Sequence, residues 1–206
     1  TDLDGTLLRA DHRFSPRPYP LLDELDRRGV LFCTASGRNA RTMLELFPQL
    51  KHRALMITDN GTTILQNGEV LDRSVITLEE VRRIQSLAGL NEGMHALGCG
   101  LKNIYYLNSD PSETFKSLVH EFFPASVGVD DMEAAYAADP FNRFSFYDEQ
   151  SPESHGVPLL APLRPGLLSV PSGGNWIDVY RCDWGKGVCL AKVQQRFGIS
   201  PEETLC

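Results

Sequence analysis

Two rhythms of apolar positions take turns along the first part of this chain. Residues 17–28 carry Leu21, Leu22 and Leu25 at helical spacing and stop at Gly29, a residue suited to the left-handed turn that ends helices. Residues 30–35 then run apolar without alternation, the pattern of a strand covered on both faces. A second helix is expected over 40–46 and a second buried strand over 54–58. Helix and strand in alternation predict an α/β fold with a doubly wound parallel sheet, whose chemistry collects at the carboxyl ends of the strands.

The rhythm changes after Asp59, Asn60 and Gly61. Residues 62–65 and 69–71 flank Gln66, Asn67 and Gly68, a hairpin signal. Thr77 and Glu80 have the spacing of a capping box that opens a helix reaching about 88. Strand-like runs at 94–97, 103–107 and 143–147, with a helix near 113–123, predict an α+β insertion over 81–165. Runs at 167–170 and 175–180 and a helix over 186–197 return to the first pattern, so the core is expected to be 1–80 with 166–206. Residues 204–206 read as the opening of a strand, and only Thr1 precedes Asp2. Both ends are therefore expected to be truncated.

Charge and cysteine content narrow the field. A net charge of -7 without a Lys/Arg cluster argues against nucleic acid or an anionic membrane as partner. No apolar run is long enough to cross a bilayer and the first residues are acidic and polar, which reads as a cytoplasmic chain. Cys33, Cys99, Cys182, Cys189 and Cys206 are odd in number and show no CxxC spacing, as expected of reduced core thiols. His12, His52, His95, His120 and His155 lack metal-ligand spacing and are assigned to no metal.

The chemistry concentrates in Asp2-Leu-Asp-Gly-Thr6. Two carboxylates separated by one residue at a strand end suit Mg2+, which takes one or two carboxylates together with waters and phosphate oxygens. Asp2 is then placed to attack phosphorus and Asp4 to protonate the leaving oxygen and later activate water. The same string also reads as an ordinary acidic turn. It is not an EF-hand loop, because Gly5 stands fourth and Arg13 twelfth from Asp2.

With Ser36-Gly37-Arg38, Asn60-Gly61 and Gly185-Lys186-Gly187 following in that order, the chain resembles the haloacid dehalogenase superfamily and its Cof-type phosphatases over nearly its whole length. The resemblance implies a Rossmann-like core with an inserted α+β cap, and an aspartyl-phosphate mechanism. Asp2 would be nucleophile and Asp4 general acid/base, with Mg2+ on the Asp2 carboxylate and the Asp4 backbone carbonyl. Ser36 would bond a phosphoryl oxygen, and Lys186 would bridge nucleophile and phosphate. Thr6, Gly37, Arg38, Asn60 and Gly61 are placed at the substrate. Ser36 also reads as a helix cap, Lys186 and Arg38 as surface charges, Asn60-Gly61 as a turn and Trp176 as packing.

The function expected is Mg2+-dependent hydrolysis of a small phosphomonoester, a sugar phosphate or related metabolite, with the insertion closing over the site. Asn103, Tyr105, Arg143 and Tyr147 of the insertion are candidates for substrate contact. The alternatives are a phosphomutase, a glycosyl-phosphate phosphatase, or a non-catalytic phosphate-binding protein. One departure stands out: the family's fourth motif, Gly-Asp-x-x-Asn-Asp, is absent after residues 199–205. The 206 residues alone are accordingly expected to bind Mg2+ weakly, to turn over little and to be marginally stable.

Overall fold

A computed structural model of the chain describes residues 1–8, 19–89 and 93–206. Residues 17 and 18 of the first expected helix, and His12 and Arg13, lie outside them. The fold is mixed α/β and divides into two compact units, Thr1–Ser74 with Trp184–Cys206, and Val75–Asp183.

In the first unit, α1 (Tyr19–Arg27) buries Leu22 and partly buries Leu25, which lie three residues apart on one face. Leu21, one residue and about 100° from Leu22, is instead exposed. The helix closes as expected at Gly29, whose φ is 68°. Gly29 N donates to Asp26 O at 3.1 Å and Val30 N to Leu25 O at 2.9 Å, the double bond of a Schellman motif. Val30 is thus consumed by the helix cap, and β1 (Cys33–Ala35) starts later than the apolar run suggested.

Asn39 caps α2 (Ala40–Leu46), its side chain accepting from Thr42 N at 2.7 Å. All four residues of β2 (Leu55–Thr58) are buried, and β2 pairs with β1 in parallel from Cys33↔Leu55 to Ala35↔Ile57. Thr1 adds a parallel rung on the other side of β1, donating its N to Cys33 O and accepting from Ala35 N, both at 2.8 Å. β3 (Thr63–Gln66) and β4 (Glu69–Arg73) form the expected hairpin. Asn67 and Gly68 both take positive φ, 55° and 78°, as a two-residue primed turn requires. Among the described residues the parallel pairing of this unit is confined to Thr1, β1 and β2, and the sheet order is β1-β2-β3-β4.

The second unit opens with α3 (Leu78–Gly89) on the expected capping box: Thr77 N donates to Glu80 Oε2 at 2.7 Å, and Glu80 N to Thr77 Oγ1 at 3.2 Å. The chain continues through β5 (Met94–Cys99), β6 (Ile104–Leu107), α4 (Glu113–Phe122), β7 (Val127–Val129), α5 (Met132–Ala138), β8 (Arg143–Asp148), α6 (Val157–Leu160), β9 (Leu167–Gly173) and β10 (Trp176–Arg181). These strands form one sheet in the order β7-β6-β5-β8-β10-β9. Alternation separates its faces. Phe144, Phe146, Ile177 and Val179 pack with Val81 and Ile84 of α3 and Met132 of α5. Leu97, Cys99, Tyr147 and Trp176 pack with Phe115 and Val119 of α4.

Residues 167–170 and 175–180 therefore do not rejoin the first unit as expected. β10 pairs antiparallel with β8, Ile177 opposite Phe146, and with β9. Hydrophobic period identifies a strand but not its neighbour, so the expected insertion over 81–165 is too narrow at both ends. Residues 204–206 form no strand; Pro201–Glu203 is a 3-10 turn closed by a Ser200–Glu203 capping box, and Leu205 is exposed. α7 (Lys186–Phe197) lies in the first unit, as expected, where Cys189 and Val193 pack on Leu55, Ile57 and Ile64.

The insertion residues offered as substrate contacts serve its interior. Arg143 and Asp178 are each 4% exposed and paired, Nη1 to Oδ1, at 2.6 Å. Tyr105 OH donates to the buried Asp139 carboxylate at 3.2 Å, and Asn103 N to the same oxygen at 3.1 Å. Tyr147 packs edge-on to Trp176, with ring centroids 5.3 Å apart. Strand alternation alone does not separate an inward polar residue satisfied by a partner from one that meets a ligand.

His95 of β5 is buried between two carboxylates, Nδ1 2.9 Å from Asp110 and Nε2 3.2 Å from Glu149, and stacks on Phe115 at 4.9 Å. Burial alone would push its pKa down; the two carboxylates outweigh burial and raise it above the ordinary 6.5. The stability this clamp contributes is complete below the unfolded-state value and is lost as pH rises through the higher folded-state value. Thermal unfolding of His95→Gln beside the parent, from about pH 5 to about pH 8.5, is expected to show a gap that narrows as pH rises. A gap that stays constant across that range would contradict a charged His95.

Candidate active site

The site residues named from the sequence all fall in the first unit, on three loops and the first turn of α7. Asp2 is extended, with φ -72° and ψ 163°. Asp4 (φ -71°, ψ 122°) and Gly5 (φ 75°, ψ 2°) then take the two central positions of a type II turn, closed further on by Leu8 N to Leu3 O at 2.8 Å. The positive φ explains Gly5. Asp4 accordingly sits on a turn, not on the same strand face as Asp2.

Each carboxylate meets a cation. Lys186 Nζ donates to Asp2 Oδ1 at 3.0 Å. Arg38 grips Asp4 with both ends of its fork, Nε to Oδ2 at 2.9 Å and Nη2 to Oδ1 at 2.7 Å. These hydrogen bonds outweigh partial burial and raise the already high pKa of Arg38. The Lys186 and Asp2 side chains remain 39% and 45% exposed, a setting in which an ion pair is worth about 0–1 kcal/mol. Stability is therefore a weak reason for that pair.

Ser36 ends the β1 segment almost fully buried, its N donating to Ile57 O at 2.9 Å and its Oγ accepting from Arg38 N at 3.1 Å. It does not cap α2, because Asn39 does. Asn60 N donates to Ser36 O at 3.1 Å, and Asp59 N to Arg38 O at 2.8 Å. A Cβ on Gly37 would stand 2.9 Å from the Asn60 side-chain oxygen. Asp59, Asn60 and Gly61 all have positive φ, of 54°, 56° and 88°. At Gly61 a Cβ would lie 2.1 Å from both Gly185 C and Lys186 N, so only glycine lets the entry to α7 pass.

The structure thus brings together Asp2 with Lys186, Asp4 with Arg38, and Ser36 with Arg38, Gly37 and Asn60. Thr6 is solvent-exposed. Sequence reasoning passed over Asp59, whose buried carboxylate accepts from Ala40 N at 3.1 Å and Thr58 Oγ1 at 3.0 Å and so ties the end of β2 to the start of α2. Its place in an Asp-Asn-Gly run was the available signal.

Among the described residues no group of three or more His, Cys, Asp or Glu side chains is placed to hold a metal. Asp2 supplies one carboxylate, whose Oδ2 makes no hydrogen bond among the described residues, while both Asp4 carboxylate oxygens are held by Arg38 and leave its backbone carbonyl as the second donor. That donor set fits Mg2+, which keeps several waters, and not a structural zinc site, which needs four protein ligands.

A sequence profile of the haloacid dehalogenase-like hydrolases matches residues 1–206. The chain belongs to this family. Over 73 residues it is 41% identical to the HMP-PP phosphatase of Enterobacter sp. (strain 638), a match covering 35% of this chain and 27% of that protein. It spans, in that match, about a quarter of the relative's length. To the 5-amino-6-(5-phospho-D-ribitylamino)uracil phosphatase YbjI of Escherichia coli (strain K12) it is 20% identical over 207 residues, covering 99% of this chain and 75% of that one. Among solved structures, the phosphatase BT1666 from Bacteroides thetaiotaomicron superposes with a TM-score of 0.81 at 20% identity, over 98% of this chain and 73% of that chain, which establishes the shared haloacid dehalogenase-like fold. Among the described residues no helix is long and apolar enough to cross a membrane.

Proposed function

We propose that this haloacid dehalogenase-like hydrolase is a phosphatase acting on a small phosphomonoester, through a phosphorylated Asp2. The observation that carries the reading is the Lys186–Asp2 contact beside the Arg38–Asp4 pair: two carboxylates separated by one residue, each held by a cation drawn from a distant part of the chain.

An Asp2 oxygen attacks phosphorus while the bond to the ester oxygen breaks and Asp4 gives that oxygen a proton. Asp4, now a carboxylate, takes a proton from water as the water oxygen attacks phosphorus. The Asp2–phosphorus bond breaks, releasing phosphate and leaving Asp4 protonated again. Asp4 gripped by Arg38 stands in the proton-accepting form that the second step needs. Phosphoryl oxygens offer Arg38 another partner, which frees Asp4 to carry a proton in the first step. Lys186, at the first residue of α7, counters charge on Asp2 and on the phosphoryl group, and the helix N-terminus favours an anion there.

Asp2, Asp4, Lys186 and Arg38 sum to no net charge, so a phosphate dianion enters a neutral site. Asp2, with the Asp4 backbone, would hold Mg2+, which supplies the positive charge that stabilises the developing charge on phosphorus. The relatives named for a ribitylaminouracil phosphate and for HMP-PP support a small soluble metabolite as substrate.

The test is phosphate release from a panel of sugar and heterocycle phosphomonoesters, with Mg2+ and with EDTA, in 18O-labelled water. Release is expected to need Mg2+ and to place one 18O in each phosphate. Transfer to a sugar hydroxyl without label would make the protein a mutase, and tight phosphate binding without release would make it a binding protein.

A further inference from the structure

The N-terminus of α7 is anchored in an unusual way. Its N-cap is Gly185, which has no side chain to accept from the first turn. The anchor is instead the carbonyl of Gly61, which accepts from Gly185 N at 3.0 Å and from Cys189 Sγ at 3.1 Å, one turn into the helix. That carbonyl is itself braced. Gly61 N donates to Thr58 O at 2.9 Å, Thr62 Oγ1 to Asp59 O at 3.0 Å, and the neighbouring Asn60 and Asp59 N–H groups hold Ser36 and Arg38. One turn therefore sets the places of Ser36, Arg38 and Lys186 together.

We propose that Cys189 is a positioning residue for Lys186: its thiol, donating to the Gly61 carbonyl, fixes the first turn of α7 so that Nζ meets Asp2. The proposal deepens the phosphatase reading and rests on it for its catalytic consequence. Burial pushes the Cys189 thiol up to about 12, so the sulfur keeps its proton and remains a donor at neutral pH. Cys189 is also fully buried against Leu55, Ile57 and Ile64, and a pure packing role makes the opposite prediction for its replacements.

Cys189→Val fills the space without a donor, and Cys189→Ser keeps a donor while losing apolar contact. If the hydrogen bond positions Lys186, Cys189→Val is expected to lower kcat by ~10-fold with KM nearly unchanged, and Cys189→Ser to stay within about threefold of the parent. Packing alone reverses that order, with Val as good as the parent and Ser the poorer in both kcat and thermal midpoint; that result would overturn the proposal. A second readout needs no substrate. The 13C-dimethyl resonance of Lys186, assigned by its loss in Lys186→Gln, is expected to move toward its Asp2→Asn position in Cys189→Val and to stay put in Cys189→Ser. Should the parent hydrolyse no phosphomonoester, the phosphatase reading falls, and the resonance still decides: a Lys186 signal unmoved in Cys189→Val refutes the positioning role.

Discussion

Replacing Asp2 by Asn is expected to lower kcat by ~10^4-fold or more, because an amide cannot form the phosphoryl intermediate. The protein should remain folded, since Asp2 is exposed and its one side-chain bond is to a half-exposed lysine. Asp4→Asn separates the two steps. Loss of a general acid/base costs ~10^2- to 10^4-fold, and with an activated leaving group such as p-nitrophenolate the loss should fall on the second step. Acid-quenched Asp4→Asn protein should then carry phosphate on Asp2, detectable by mass. Turnover in Asp2→Asn above about a hundredth of the parent's would exclude Asp2 as the nucleophile.

Removing the Asp178 carboxylate is expected to have the largest effect on stability, about 3–5 kcal/mol for Asp178→Ala. Arg143 on β8 and Asp178 on β10 are both nearly out of reach of water, and Ser145 Oγ bonds the same Asp178 oxygen. Deleting the carboxylate removes from the buried Arg143 guanidinium the anion it is paired with across the two strands. The pair itself is a different matter. Desolvating two ions costs nearly what their attraction returns, so the double variant Arg143→Met/Asp178→Leu should recover most of the loss. Urea unfolding of the three proteins measures this. An Asp178→Ala midpoint close to the parent's would show that the guanidinium finds water or another partner.

The local devices were readable in advance. Gly29 as a helix stop, Asn67-Gly68 as a primed turn and the Thr77–Glu80 box each depend on residues within one turn of each other, so neighbours in sequence already state the outcome. The candidate site was readable for a similar reason. Asp2-x-Asp4-Gly5-Thr6, Ser36-Gly37-Arg38 and Gly185-Lys186-Gly187 are short strings whose residue types suit one chemistry. Their pairing was not: Arg38 reaches Asp4 across 34 residues of chain, whereas the Asn39 cap of α2 is a local contact to Thr42, a role for which the sequence had offered Ser36 instead.

What the sequence by itself determined is most of the longer helices and strands, though not β7, α5 or α6, together with several turns and the candidate residues for phosphoryl chemistry, because helix and strand periods, capping and turn preferences act over a few residues. Only the tertiary structure decided which sheet received β9 and β10, that Arg143 would be spent on Asp178, and that a buried cysteine would hold the carbonyl behind Lys186. These outcomes depend on which surfaces meet after the chain has folded back over long separations. An apolar strand or a lone thiol has the same local signature whichever partner it finds.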